Sequence, residues 1–105
     1  MHIIIFVTAK DIREARTISQ ALVRERLVAC ANIIQGVESI FWWDKKVDNS
    51  KEVLLILKTQ RKLFKKVKDI VQSLHSYSVP EIIALPIVEG NRDYLKWIDD
   101  SLSKA

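Results

Sequence analysis

Apolar and polar positions alternate along the chain with two different periods, and the switches between them mark out the elements. His2–Thr8 is β-branched and apolar along most of its length, the pattern of a buried strand. Ile12, Ala15, Ile18 and Leu22 then recur at helical spacing, with Arg13, Arg16, Arg24 and Glu25 on the polar side, so a helix is predicted to about Leu27. Asp11 can cap its start, with Glu14 three residues on. Over Ala29–Trp43 the period drops to two: Val37, Ser39, Phe41 and Trp43 alternate with Glu38, Ile40 and Trp42. Gly36 inside that stretch predicts a bulge or bend. Asp44–Ser50 reads as a polar turn, and Glu52–Thr59 as the returning strand of a long hairpin. Arg61–Leu74 is helical, with Leu63, Phe64, Val67, Ile70, Val71 and Leu74 on one stripe. After a connection at His75–Val79, Glu81–Val88 is the fourth strand, which Pro86 confines to an edge. Asn91 caps a final helix carrying Tyr94, Leu95, Trp97, Ile98 and Leu102.

The resulting order, strand-helix-strand-strand-helix-strand with a tail helix, predicts an α+β chain: a ferredoxin-like βαββαβ antiparallel sheet with both main helices on one face. Val53–Leu57 is apolar at every position, so both faces of the sheet there call for burial, whereas the two helices cover one. A second copy of the chain is the simplest cover, and an oligomer is expected.

Length and composition narrow the function. The 105 residues fit one domain, 1–105, and 49 % hydrophobic against 29 % charged residues supports a packed core. No apolar run approaches the roughly 18–20 residues of a membrane span, and the short N-terminal run is not that of an export signal. A single cysteine, Cys30, excludes an internal disulfide and an all-thiolate zinc site within one chain, and fits the cytoplasm. The net charge of +4 is spread among acidic residues; most of its densest stretch, Lys58 to Lys68, reads as the wet face of a helix rather than a nucleic-acid site. An RNA-recognition module needs stacking aromatics on its third strand, where this chain has Val53-Leu54-Leu55-Ile56-Leu57. A metallochaperone would need C-x-x-C. An acylphosphatase-like cradle would need glycine after the first strand, where Thr8-Ala9-Lys10-Asp11 stands. A ligand-sensing oligomer without catalytic residues passes these filters.

Six strings carry a resemblance across nearly the whole chain: Ala29-Cys30-Ala31-Asn32-Ile33, Phe41-Trp42-Trp43, Leu57-Lys58-Thr59, His75-Ser76-Tyr77-Ser78-Val79-Pro80-Glu81-Ile82, Ala84-Leu85-Pro86 and Gly90-Asn91…Tyr94-Leu95…Trp97. Together they closely resemble the CutA family, the divalent-cation-tolerance proteins. The resemblance implies a ferredoxin-like subunit in a PII-like homotrimer, a cytoplasmic location, and a non-enzymatic role in tolerance of copper and heavy metals. The shared architecture with PII signalling proteins keeps an alternative open, a sensor of a small anionic metabolite in an inter-subunit cleft. The chain departs from the family at Ser76 and Ser78, where proline and glutamate are usual, and at Lys45, where glycine is usual. Copper-binding members can carry a cysteine and a second histidine at the positions of Val7 and Leu74.

Metal ligands are therefore sought in His75, Glu81 and Cys30. His75 follows a helix, as a borderline ligand or a capping side chain; Cys30 is a soft ligand or a small buried hydrophobe. Weak Cu(II) binding is expected, centred on His75 with Glu81 as an oxygen donor. Tyr77 and Pro80 belong to the same loop. Lys58 is a partner for an anion or carboxylate, and Thr59 a helix-start hydroxyl. Trp42 and Trp43 alternate faces, so one can pack on the core and the other on a neighbouring subunit, a trimer contact rather than a ligand platform. His2 is a strand-leading residue beside the amino terminus.

Overall fold

β1 (His2–Ala9) and β3 (Lys46–Gln60) pair antiparallel at the centre of a four-stranded sheet, with β2 (Cys30–Trp43) outside β3 and β4 (Ile82–Pro86) outside β1. Every neighbouring pair is antiparallel. The structure is a computed structural model and describes residues 1–103. α1 (Ile12–Arg24) joins β1 to β2 across the inserted β3. A 3-10 turn at Arg61–Leu63 and α2 (Phe64–Leu74) join β3 to β4 across β1, and α3 (Arg92–Leu102) follows β4. β4 is an edge strand, as Pro86 requires, and it stops there instead of running to Val88. No helix of the described residues is long and apolar enough to cross a membrane.

Alternation along the central strands separates two faces. Ile3, Ile5 and Val7 of β1 and Val53, Leu55 and Leu57 of β3 are buried against Ala15, Ile18 and Leu22 of α1 and Val67 and Val71 of α2. Full burial of each large aliphatic side chain there stabilises the fold by about 1.5–3 kcal/mol. Local signals fix the ends of α1. Asp11 is extended and its Oδ1 accepts the Glu14 N–H at 2.8 Å. At the other end Arg26 turns left-handed at φ 55°, so that its N–H reaches Val23 O and the Leu27 N–H reaches Leu22 O. That reversal ends the helix at Arg24, short of the predicted Leu27. Thr59 does not start a helix: fully buried, its hydroxyl donates to Leu27 O at 2.7 Å and ties β3 to the end of that turn.

The hairpin is longer and tighter than its polarity predicts. Asp44 and Lys45 take φ of 50° and 64°, the left-handed pair of a two-residue turn, and β3 resumes at Lys46. The stretch expected as a polar turn up to Ser50 is thus mostly strand. Its residues 46–49 are exposed, so pairing proceeds there without any buried side chain to reveal it. Gly36, at φ 78°, sits in the predicted bulge, where the register shifts between Ile34 and Val37. Before the bulge Asn32 and Ile34 oppose Ile56 and Leu54; after it Val37, Ser39 and Phe41 oppose Glu52, Ser50 and Asp48. One inserted residue therefore moves Phe41 and Trp43 onto the face that Leu54 and Ile56 share, in place of Ile40 and Trp42.

That second face is not bare, as the strand pattern alone implies. α3 lies over one end of it, with Ile98 buried. Asp99 Oδ1 accepts from Gln60 Nε2 and is 2.7 Å from His2 Nε2, while Arg26 Nη1 donates to Ser101 O at 2.8 Å. Asn91 caps α3 through Asp93 N. The middle of the face stays open around Ile34, Ile83 and Leu85.

Candidate functional site

At the end of the second face away from α3, the loop after α2 folds round the edge of the sheet and walls off a cleft of about 710 Å³. Glu14 fixes the start of that loop. Its two carboxylate oxygens accept the Lys10 N–H at 2.9 Å and the Ser76 N–H at 2.6 Å. Burial alone would raise the Glu14 pKa, but these donors hold it below the ordinary carboxylate range. His75 is the next tie. Its side chain is fully buried; Nε2 donates to Thr8 O at 2.7 Å and Nδ1 accepts the Tyr77 N–H at 3.0 Å. Those two bonds fix a neutral imidazole with the proton on Nε2. Tyr77 packs on the imidazole at 4.7 Å between ring centroids and donates its hydroxyl to Glu52 Oε2 at 3.0 Å. Burial and the Glu52 carboxylate push its pKa up to about 12, so the phenol keeps its proton.

The lining of the cleft has one sign of charge. Asp48, Glu52 and Glu81 contribute carboxylates, Phe41, Trp43 and Tyr77 contribute aromatic surface, and no lysine, arginine or histidine takes part. None of the three carboxylates has an ion-pair partner among the described residues. Glu52 is 9 % exposed, although β3 carries it at the mouth of the hairpin. Two other depressions differ in kind. One beside α3 mixes Arg26, Lys62 and Lys66 with Glu25, Asp69 and Asp99; the other, around Met1, Phe64 and Pro86, is mainly apolar.

The residues singled out in the sequence are divided among three places. Tyr77, Glu81 and Trp43 line the cleft. Pro80 stands in the loop just before β4, while Trp42 points the other way and is 75 % exposed. His75 lies behind the cleft, with both ring nitrogens already engaged. Cys30 is at the far end of the sheet: it opposes Lys58, which opposes Ile4, whereas His75 bonds Thr8, about 13 Å further along β1. The thiol approaches only Asn32 Oδ1, at 3.7 Å. Among the described residues Lys58 meets no carboxylate; its ammonium lies over the Tyr94 ring, 5.6 Å from the centroid. Among the described residues no three His, Cys, Asp or Glu side chains come close enough to hold one metal ion. The charged donors that face a common space are carboxylates, with Ser39, Ser50 and Ser78 beside them, an all-oxygen set suited to hard divalent cations rather than to copper. Asp48 and Glu52 escape a reading based on strings of neighbouring residues. A two-residue turn at Asp44-Lys45 combined with the Gly36 bulge would have placed both on the face of Phe41 and Trp43, with Asp48 opposite Phe41 and Glu52 opposite Val37.

Comparison with known proteins agrees with this architecture. The family model described as CutA1 divalent ion tolerance protein matches residues 3–101. The divalent-cation tolerance protein CutA of Thermus thermophilus is 48 % identical over 96 % of this chain and 98 % of its own. The chloroplastic CutA 1 of rice is 40 % identical over 98 % of this chain, which spans 58 % of the plant protein. A solved structure described as the periplasmic divalent cation tolerance protein CutA of Archaeoglobus fulgidus superposes with a TM-score of 0.95, at 39 % identity, covering 98 % of this chain and 100 % of that one. The chain belongs to the CutA1 family of divalent ion tolerance proteins.

Proposed function

We propose that this chain works as a non-enzymatic, ferredoxin-like homotrimer in the cytoplasm, in the response to divalent cations, which it binds weakly at the carboxylate cleft. The observation that carries the reading is the lining of that cleft: among the described residues, three carboxylates without an ion-pair partner and no cationic side chain. Spread as they are, the carboxylates suit a hydrated cation held partly through water, which is why the binding is weak. Glu81 is the metal ligand retained from the sequence. His75 would join only by giving up its bonds to Thr8 and Tyr77, and Cys30 belongs to the other end of the sheet. The same lining disfavours an anionic metabolite there, which weakens the PII-like alternative.

Assembly is supported by the open apolar middle of the second face and by Ile40, Trp42, Trp43 and Val47 exposed on the hairpin. The aromatic patch fits the contacts of a subunit interface. The single thiol fits a reducing compartment. Sedimentation equilibrium at micromolar concentration should give one species of three subunits. Calorimetric titration with Mn²⁺ should give weak binding that falls about two- to fivefold in Glu81→Gln, the size expected for an exposed charge. A folded monomer refutes the assembly, and Mn²⁺ affinity indifferent to Glu81→Gln refutes the site.

A further inference from the structure

The side chains of His75 and Glu14 are 0 % and 8 % exposed within a single subunit, so their contacts do not depend on what covers the second face. The two bonds of the imidazole differ in what they demand of it. Nε2–H donates to Thr8 O at 2.7 Å, a bond that survives protonation of the ring. Nδ1 accepts the Tyr77 N–H at 3.0 Å, which only the neutral ring can do. Once protonated, Nδ1 is itself a donor, and the Tyr77 amide has to leave it. Another acceptor stands beside the same nitrogen: Glu14 Oε2 lies 3.9 Å from Nδ1. Among the described residues no lysine or arginine pairs with that carboxylate, and its bonds come from the neutral Lys10 and Ser76 N–H groups. A buried carboxylate among neutral donors gains most from a positive charge formed next to it. The other titratable groups on this side are Tyr77, Glu52 bonded to its hydroxyl, and Asp11 ahead of α1. β1 presents the Thr8 carbonyl, and the Lys10 side chain at the turn after it is exposed.

We propose that His75 is an acid-operated switch, which exchanges the Tyr77 amide for the Glu14 carboxylate and so loosens the loop that walls the cleft. One proton passes from solvent to Nδ1. The Tyr77 N–H···Nδ1 bond breaks and an Nδ1–H···Oε2 bond to Glu14 forms, while Nε2–H stays on Thr8 O. Glu14 is ionised throughout, since its own pKa lies below the ordinary carboxylate range. It also keeps the Ser76 N–H, so the loop remains tethered there and moves from Tyr77 onward. Tyr77 then carries its hydroxyl away from Glu52 Oε2 and frees that carboxylate. The switch acts on the wall of the cleft and not on its occupant, so it stands whether or not Glu81 holds a cation.

Two-bond ¹H–¹⁵N spectra of the histidine rings read the switch directly, recorded on the assembled protein with a chelator present, between about pH 8 and about pH 5. At the alkaline end Nε2 of His75 should carry the proton and Nδ1 none. As the pH falls Nδ1 should gain a proton. The Tyr77 and Ser78 amides and the Tyr77 ring signals should shift with the same midpoint. Exchange of the Tyr77 amide, corrected for the intrinsic effect of pH, should quicken about tenfold for the loss of one hydrogen bond, while the buried Val67 and Val71 of α2 stay protected. Glu14→Gln removes the charge beside Nδ1 and keeps an acceptor for the Ser76 N–H, so the same change should need about tenfold more acid. A His75 Nδ1 that stays unprotonated until the chain unfolds overturns the proposal. Protonation that leaves the Tyr77 amide signal and its exchange unchanged does so too, as does a midpoint indifferent to Glu14→Gln.

Discussion

On the face of the sheet beneath α1 and α2, Ile5, Val7, Leu55 and Leu57 expose no surface, whereas Ile83 and Leu85 on the other face keep 51 % and 45 % of theirs. The polar groups differ in the same way. Beside the covered face, Thr59, Glu14 and His75 each have a hydrogen-bond partner within the chain. On the second face, the end under α3 is similarly finished by the Asp99, Gln60 and His2 contacts, and Glu52 at the other end accepts from the Tyr77 hydroxyl. At that opposite end Asp48, Glu52 and Glu81 line a cleft to which no cationic side chain of the described residues contributes. One face is completed by the chain itself, apart from the buried Ser19 hydroxyl of α1, which has no hydrogen-bond partner among the described residues. The other leaves apolar surface in its middle and negative charge at one end, and binding is to be sought there.

The largest effect expected is on the covered face. Leu57→Ala should lower stability by about 2–5 kcal/mol in urea unfolding, because it opens a cavity where helices and strands are already close-packed. Leu85→Asp on the open face should leave that core intact and change the sedimentation equilibrium instead, shifting mass toward the single subunit. The contrast fails if Leu85→Asp abolishes folding at every concentration while the mass distribution of the folded fraction stays that of wild type.

A smaller effect is expected at Gly36, which links the two halves of the second face. A Cβ there would meet no atom within 4 Å, so the cost of Gly36→Ala is that of the left-handed backbone alone, about 1–2 kcal/mol. Gly36→Asn, better suited to that conformation, should cost less. Equal losses for alanine and asparagine in urea unfolding would mean that the bulge is not held at this φ.

Much of this was legible from patterning. The covered face is written in alternating Ile and Val of β1 and in the helical stripes of α1 and α2, because burial there selects side chains one by one. The Asp11 and Asn91 caps and the Gly36 bulge are local in sequence and could be read directly. The hairpin tip could not, since residues 46–49 pair through their backbone while their side chains stay in water. The end of α1 was misjudged because Arg26, not glycine, takes the left-handed position. The cleft was legible only in part. Tyr77 and Glu81 stand in one loop, but Glu52 and Asp48 reach it through a register that depends on a one-residue bulge and a two-residue turn together. His75 attracts attention as an isolated histidine, and only the fold reveals both its nitrogens bonded.

The ties behind the cleft should show as two gentle pH dependences of opposite sign. Glu14 titrates below the ordinary carboxylate range in the folded chain, so its contribution is full at neutral pH and is lost as pH falls through that lowered value. Amide exchange at Ser76 and Lys10 should quicken there, and Glu14→Gln should flatten the dependence. Tyr77 behaves in reverse. Its neutral form is favoured by folding, so its contribution is full below 10 and declines as pH rises from 10 to about 12. Tyr77→Phe should remove that alkaline loss. An acid loss unchanged in Glu14→Gln, or an alkaline loss unchanged in Tyr77→Phe, would move the ties to other groups.

The location of the cation site can be read most directly by paramagnetic broadening. With substoichiometric Mn²⁺ added to ¹⁵N-labelled protein, the amides of Ser50, Glu52, Ser78 and Glu81 should broaden first, while those of Cys30, Lys58 and Asp99 stay sharp. Broadening centred on Cys30, or spread evenly over the exposed carboxylates of the surface, would contradict a cation site at the loop end of the second face.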